Sequence, residues 1–219
     1  MKYYYQYLHY VSVFSVFLPL VLGLVAFKSL DANSRVLVVL LVFAALAQVS
    51  SFYPHTSKVF YNLYTVLDSI FWGYLFYRNS HVKQIKVLIL LTTFLQPVIS
   101  LSLFMSVGIS EKFFSELVCL NNLLLSLWVL SFFYERYLME DIQALEKEPL
   151  FWFCLGILIY APTSYFFFAF PDIVRDKSKP MFLTLQSIHD LLNSCEYIIF
   201  AIGIYINVFR IVKFKNAFN

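Results

Sequence analysis

Residues 87–107 read VLILLTTFLQPVISLSLFMSV, 21 positions without a charged side chain. At 1.5 Å per residue, an α-helix of that length is long enough to cross a hydrocarbon core about 30 Å thick. The apolar residues follow one another continuously, whereas a membrane β-strand would alternate between faces with a period of two. Lys83 and Lys86 stand at one end of the run and Gly108 at the other, which bounds a crossing over 85–107. Gln96 and Pro97 interrupt its middle. Lipid offers an amide no hydrogen-bond partner, and Pro leaves a helix carbonyl unpaired, so both residues call for protein neighbours. The run therefore reads as one helix of a bundle.

Working outward, six more segments have the length and apolarity of a crossing: 8–27, 36–53, 58–77, 113–134, 150–170 and 183–209. The third in chain order is the weakest, because Asn62 and Asp68 lie inside it. The last is long enough to tilt or to extend beyond the bilayer. Composition agrees: 61% of the 219 residues are hydrophobic and 13% charged, against roughly a quarter charged in soluble domains. Phe and Tyr number 25 and 16, and Tyr suits the bilayer interface because its ring is apolar and its hydroxyl wet. The expected fold is all-α: a single polytopic domain over 1–219, a bundle of seven transmembrane helices with the lipid bilayer as its partner. A net charge of +3, spread over short loops, argues against a nucleic-acid surface. Residues 8–27 follow Lys2 as a secretory signal would. They exceed the usual signal core, contain Pro19 and Gly23, and show no small-x-small cleavage site, so they read as a retained helix. Cys119, Cys154 and Cys195 all fall within apolar runs and read as packing residues, not as disulfide or metal partners.

Orientation follows from the basic residues on alternate sides of the expected spans. The N-terminus and the even connectors carry six: Lys2, Lys58, Lys112, Arg175, Lys177 and Lys179. The odd connectors and the C-terminus carry the other ten, from Lys28 and Arg35 to Arg210, Lys213 and Lys215. This bias puts the N-terminus outside and the C-terminus in the cytoplasm of a multi-pass inner-membrane protein. In the connector 135–149, Leu138, Ile142 and Leu145 recur at helical spacing. That stripe fits a helix lying on the membrane or docking a partner, or else a plain extension of the fifth helix. The pairs Phe52-Tyr53-Pro54 with Asp68, and Phe170-Pro171 with Asp190, also fit a parallel three-plus-one-plus-three duplication.

Polar groups inside lipid are costly unless paired or wetted, so their positions carry the functional information. In the seventh helix Gln186, His189, Asn193 and Glu196 are spaced 3, 4 and 3, along one face, with Asp190 beside His189. The third adds Asn62, Thr65, Asp68 and Ser69. The second adds Gln48 and Ser51, the fourth Gln96, the fifth Glu116, Asn121 and Asn122, and the sixth Thr163 and Ser164. With the expected orientation, most of these fall in the outer half, while Asp68, Gln96 and Glu196 lie near the middle. The asymmetry predicts a polar cavity open to the outside and closed below. Its candidate ligand-binding residues are Asn62, Asp68, Gln96, Asn122, Gln186, His189, Asp190, Asn193 and Glu196. Asp68, His189, Asp190 and Glu196 form the ionisable part, and His189 is the group suited to changing charge near neutral pH. The alternative is that these groups bond one another and merely hold the bundle together, at about 0.6 kcal/mol per contact.

Enzyme chemistry finds little footing. One intramembrane His cannot build a zinc site, which needs about three protein ligands. No Gly-x-Ser-x-Gly and no phosphate-binding glycine loop occurs. The seventh helix has no mid-membrane Lys for a retinal Schiff base. No catalytic residue, metal ligand or cofactor is assigned.

Three stretches carry a family likeness: Phe60-Tyr61-Asn62-Leu63-Tyr64 with the later Tyr74-Leu75-Phe76-Tyr77, the run from Glu148-Pro149-Leu150-Phe151-Trp152 to Tyr160, and Ile199-Phe200-Ala201-Ile202-Gly203. Together they resemble small seven-helix membrane proteins of unknown function from Bacteroidota, often encoded near sensor histidine kinases. The resemblance implies a signalling role, with a histidine kinase as the expected membrane partner, and implies no site residue. The expected function is a sensor or signalling accessory. A small transporter or channel subunit is the alternative, and an intramembrane lipid-modifying enzyme a third.

Overall fold

The computed structural model describes residues 2–139, 145–170 and 178–217, without the side chains of 2–4, 54–55 and 210–217. Among these residues there are eight α-helices and no strand: α1 (Lys2–Ser15), α2 (Phe17–Ala26), α3 (Ala32–Ser50), α4 (Pro54–Asn79), α5 (Lys83–Val107), α6 (Ser115–Leu138), α7 (Pro149–Ala169) and α8 (Lys179–Ala217). The first two form one span, Tyr5–Ser29, interrupted at Val16. Pro19, three residues on, has no N–H to donate to the Ser15 carbonyl, and the helix is broken there. Elsewhere the boundaries have local causes. The Asp31 side chain accepts from the Ser34 N–H at 2.7 Å and caps α3. Pro54 and Pro149 open α4 and α7, where the missing N–H is no loss. Gly108 ends α5 at φ 98°, a conformation that favours glycine.

Six of the seven spans are long and apolar enough to cross a membrane. The exception is α4, as the sequence suggests, and its packing explains why. Asn62, Thr65, Asp68 and Ser69 lower its hydropathy, and all four are buried inside the bundle rather than turned to lipid. At 26 residues it is as long as its neighbours. The protein is a seven-span, all-α, multi-pass membrane bundle. The last helix runs for 39 residues, roughly 58 Å and well beyond one bilayer crossing. The fifth span continues to Leu138, and residues 140–144, with Ile142 of the expected stripe, lie outside the described residues, as do Pro171, Arg175 and Lys177.

The spans form a ring. The α1–α2 span packs on α8, α8 on α7, α7 on α6, α6 on α4, α4 on α3, and α3 returns to α2. α5 stands outside it, against α4 and α6, with 17% of its apolar window buried against 33 to 50% in the other candidate spans. The first span and α8 run in parallel, with His9 beside Asp190, Ser12 bonded to Asn193 and Asp31 bonded to Asn207, so α8 finishes at the end of the bundle opposite to the start of α1. At the end where α8 finishes, the ring is filled with rings of another kind: Trp72 lies 5.8 Å from Phe200 and 6.0 Å from Phe76, which in turn meets Trp128 at 6.1 Å. Phe153 meets Phe200 edge-on at 5.8 Å. α7 and α8 come this close because Gly156 and Gly203 carry no side chain. A Cβ on Gly156 would lie 2.8 Å from Phe200 Cε1, and one on Gly203 would lie 2.5 Å from Phe153 Cε1.

Candidate functional site

The other half of the ring is not filled. A cavity of about 340 Å³ lies between α1, α3, α4, α6, α7 and α8. Its lining runs from the exposed Lys58, at the start of α4, to the buried Trp72 and Phe200. Helical spacing presents the lining residues. Tyr61, Thr65, Asp68 and Trp72 follow one another at 4, 3 and 4 along α4, and Gln186, His189, Asn193, Glu196 and Phe200 at 3, 4, 3 and 4 along α8. Asn121 and Asn122 come from α6, Tyr160 from α7 and His9 from α1.

Two groups of polar contacts divide the cavity. Near the mouth, Asp190 lies between two histidines, 3.6 Å from His9 Nδ1 and 3.9 Å from His189 Nδ1. These are ion-pair separations, longer than a direct hydrogen bond. His189 stacks on Phe167 with centroids 4.8 Å apart, and its Nε2 is 3.1 Å from the Tyr160 hydroxyl. The Asn193 amide donates to the Ser12 hydroxyl at 2.8 Å, tying α8 to α1. Deeper, the Asp68 carboxylate accepts from the Tyr64 hydroxyl at 3.1 Å and from the Asn121 amide at 2.7 Å. The Asn121 carbonyl oxygen has no partner among the described residues. Glu196 is 8% exposed and, among the described residues, its carboxyl is in no hydrogen bond or ion pair.

No family model, curated protein or solved structure matches the chain. The cavity itself therefore carries the functional argument.

Of the nine candidate residues, Asp68, Asn122, Gln186, His189, Asp190, Asn193 and Glu196 line this cavity. Asn62 and Gln96 do not. The Asn62 amide donates to the carbonyls of Ile109 and Lys112, both at 2.9 Å, and its carbonyl accepts from the Phe114 N–H at 3.1 Å. It fastens the α5–α6 loop to α4. Gln96 is fully buried against α4, with its amide 3.5 Å from the Thr65 carbonyl. Among the described residues no group of three or more His, Cys, Asp or Glu side chains is placed to hold a metal ion.

Sequence reasoning missed the aromatic part of the wall, chiefly Tyr61, Tyr64, Tyr160, Tyr197 and Trp72. Tyr was assigned to the bilayer interface as a class. The signal available was position: Tyr64 and Tyr61 stand four and seven residues before Asp68, on its own face of the helix. His9 lies within α1, which begins at Lys2, and so reaches the cavity wall.

Proposed function

We propose that the protein is an inner-membrane receptor: a small ligand enters the cavity from the outer side, and the inner end of the bundle passes its occupancy to a signalling partner. The observation that carries this reading is the shape of the interior, a cavity with polar side chains set in an apolar wall at one end and an aromatic plug at the other. Largely preformed concave sites of roughly 300–1,000 Å³ are the usual form of small-molecule pockets. The excess of Lys and Arg beyond the plug supports a cytoplasmic location for that end.

One helix joins the two ends. α8 contributes Gln186 to Phe200 to the cavity and continues unbroken to Ala217. Near its inner part, the Asn207 amide donates to the Ser34 hydroxyl at 3.1 Å, and its carbonyl accepts from the Asp31 N–H at 3.2 Å. A guest that shifts α8 by a fraction of an ångström would be felt at the connector between the first two spans, because a packed helix transmits displacement along its axis. A transporter would need a continuous route past Trp72, Phe76 and Trp128, where the bundle is close-packed.

The likeness to proteins encoded near sensor histidine kinases supports such a kinase as the partner. Affinity purification of the tagged protein from mildly cross-linked native membranes tests this. Recovery of a sensor kinase is the expected result; abundant protein that brings down no membrane signalling protein would remove the receptor reading.

A further inference from the structure

We propose that the ligand is a small organic cation, an amine with an apolar body, whose ammonium sits between Asp68 and Glu196. This rests on the reading of the cavity as a ligand site and adds the chemistry of the guest.

Hydrogen-bonding capacity at the cavity floor is unbalanced. Asp68 and Glu196 both line it. The Glu196 carboxyl has no protein partner among the described residues, and neither of its oxygens is among the sealed-off polar atoms, so it faces the open space. A carboxyl nine-tenths buried and directed into a cavity is costly to leave unpaired. Among the described residues, no Lys or Arg stands there. Lys58, the basic residue of the wall, stands at the mouth with its Nζ donating to the Glu111 carbonyl at 3.0 Å. His9 and His189 are turned to Asp190. The missing group is thus positive and a hydrogen-bond donor.

The wall is suited to the same guest. Tyr64, Tyr160, Tyr197 and Trp72 line the same cavity, and aromatic faces attract ammonium groups within about 6 Å of their centroids. Leu37, Leu41 and Ala44 on α3 give the opposite side an apolar surface. A bare metal ion would leave most of about 340 Å³ empty, while an arylalkyl or alkyl amine occupies far more of it. An anionic guest would meet two acids and, among the described residues, no free base at the floor.

The test uses the full chain in nanodiscs, titrated with phenethylamine, hexylamine and benzyltrimethylammonium. Neutral 2-phenylethanol and anionic phenylacetate serve as shape controls. Saturable binding of at least one cation is expected, with neither control binding. Affinity should fall on the order of tenfold or more in Glu196→Gln, and likewise in Asp68→Asn, the second variant should the first not fold. Binding of phenylacetate or 2-phenylethanol as tight as that of the cations overturns the assignment. So does unchanged cation affinity in the folded variants, or no binding by all three cations. A control that binds while the cations do not leaves the cavity as a receptor site and removes only the cation, so this failure is separate from that of the kinase purification.

Discussion

On α4, the Asn62 amide donates to the carbonyls of Ile109 and Lys112, while the Asp68 carboxylate, six residues later, accepts from Tyr64 and Asn121. At about 100° per residue, a separation of six leaves the two side chains about 120° apart around the helix. They face different neighbours for that reason, Asn62 the α5–α6 loop and Asp68 the cavity. The cost of polar groups in lipid made both legible in the sequence as residues with a partner, but cost alone does not say which partner is protein and which is a guest. Tyr61, seven residues before Asp68, is within about 20° of it by the same arithmetic, and its identity as an aromatic concealed it. Asn62→Ala removes three hydrogen bonds at once and leaves two carbonyls and the Phe114 N–H in search of water. Thermal unfolding in detergent should show a loss of about 1–3 kcal/mol, with cation binding in the cavity unchanged. Wild-type stability in this variant would mean that the loop is held by other contacts.

Glycine sets how closely α7 and α8 approach. Beyond its clash with Phe153, a Cβ on Gly203 would lie 3.1 Å from the Pro149 backbone carbonyl, and one on Gly156 would lie 3.3 Å from that of Glu196. Backbone cannot rotate aside as a side chain can. Gly203→Val should therefore destabilise the bundle by about 1–3 kcal/mol through overpacking, although glycine is the poorer helix former by about 1 kcal/mol. A melting temperature equal to or above wild type would show that the two helices can part without loss. The helices themselves were legible because each apolar run is continuous and each connector polar. Their pairing was not. Nothing in the spacing of residues 8–27 says that this span packs on the last one, because that choice is made by side chains meeting inside the ring, such as Asn193 with Ser12. The peripheral seat of α5 was equally hidden: its run 87–107 is free of charge, but so are 8–27, 36–53 and 150–170, and an apolar surface serves lipid and protein neighbours alike.

For the whole molecule, the receptor reading requires the cavity mouth to face out of the cell. Cysteines introduced at Ser110 and at Gln84, both exposed, lie at opposite ends of the bundle, and Cys119, Cys154 and Cys195 can be replaced by Ala to leave each alone. In intact cells, a membrane-impermeant maleimide should label Ser110→Cys and spare Gln84→Cys until the membrane is opened. Labelling in the reverse order would turn the mouth toward the cytoplasm and make the outward receptor untenable. That polar side chains gather toward one half of the bundle could be read from the chain, because the cost of burying each is set residue by residue. The volume of the cavity could not, since it depends on how six helices lean on one another.

Of the three tryptophans, Trp72 belongs to the cavity wall, whereas Trp128 is packed in the plug against Phe76 and Trp152 donates its indole N–H to the Glu146 carbonyl at 2.8 Å. Emission from one indole in three therefore depends on what occupies the space beside it. The protein carries an intrinsic fluorophore at the floor of its cavity, so entry of a guest there, if one binds, can be followed by light, without a label, in a preparation that holds nothing but protein and lipid.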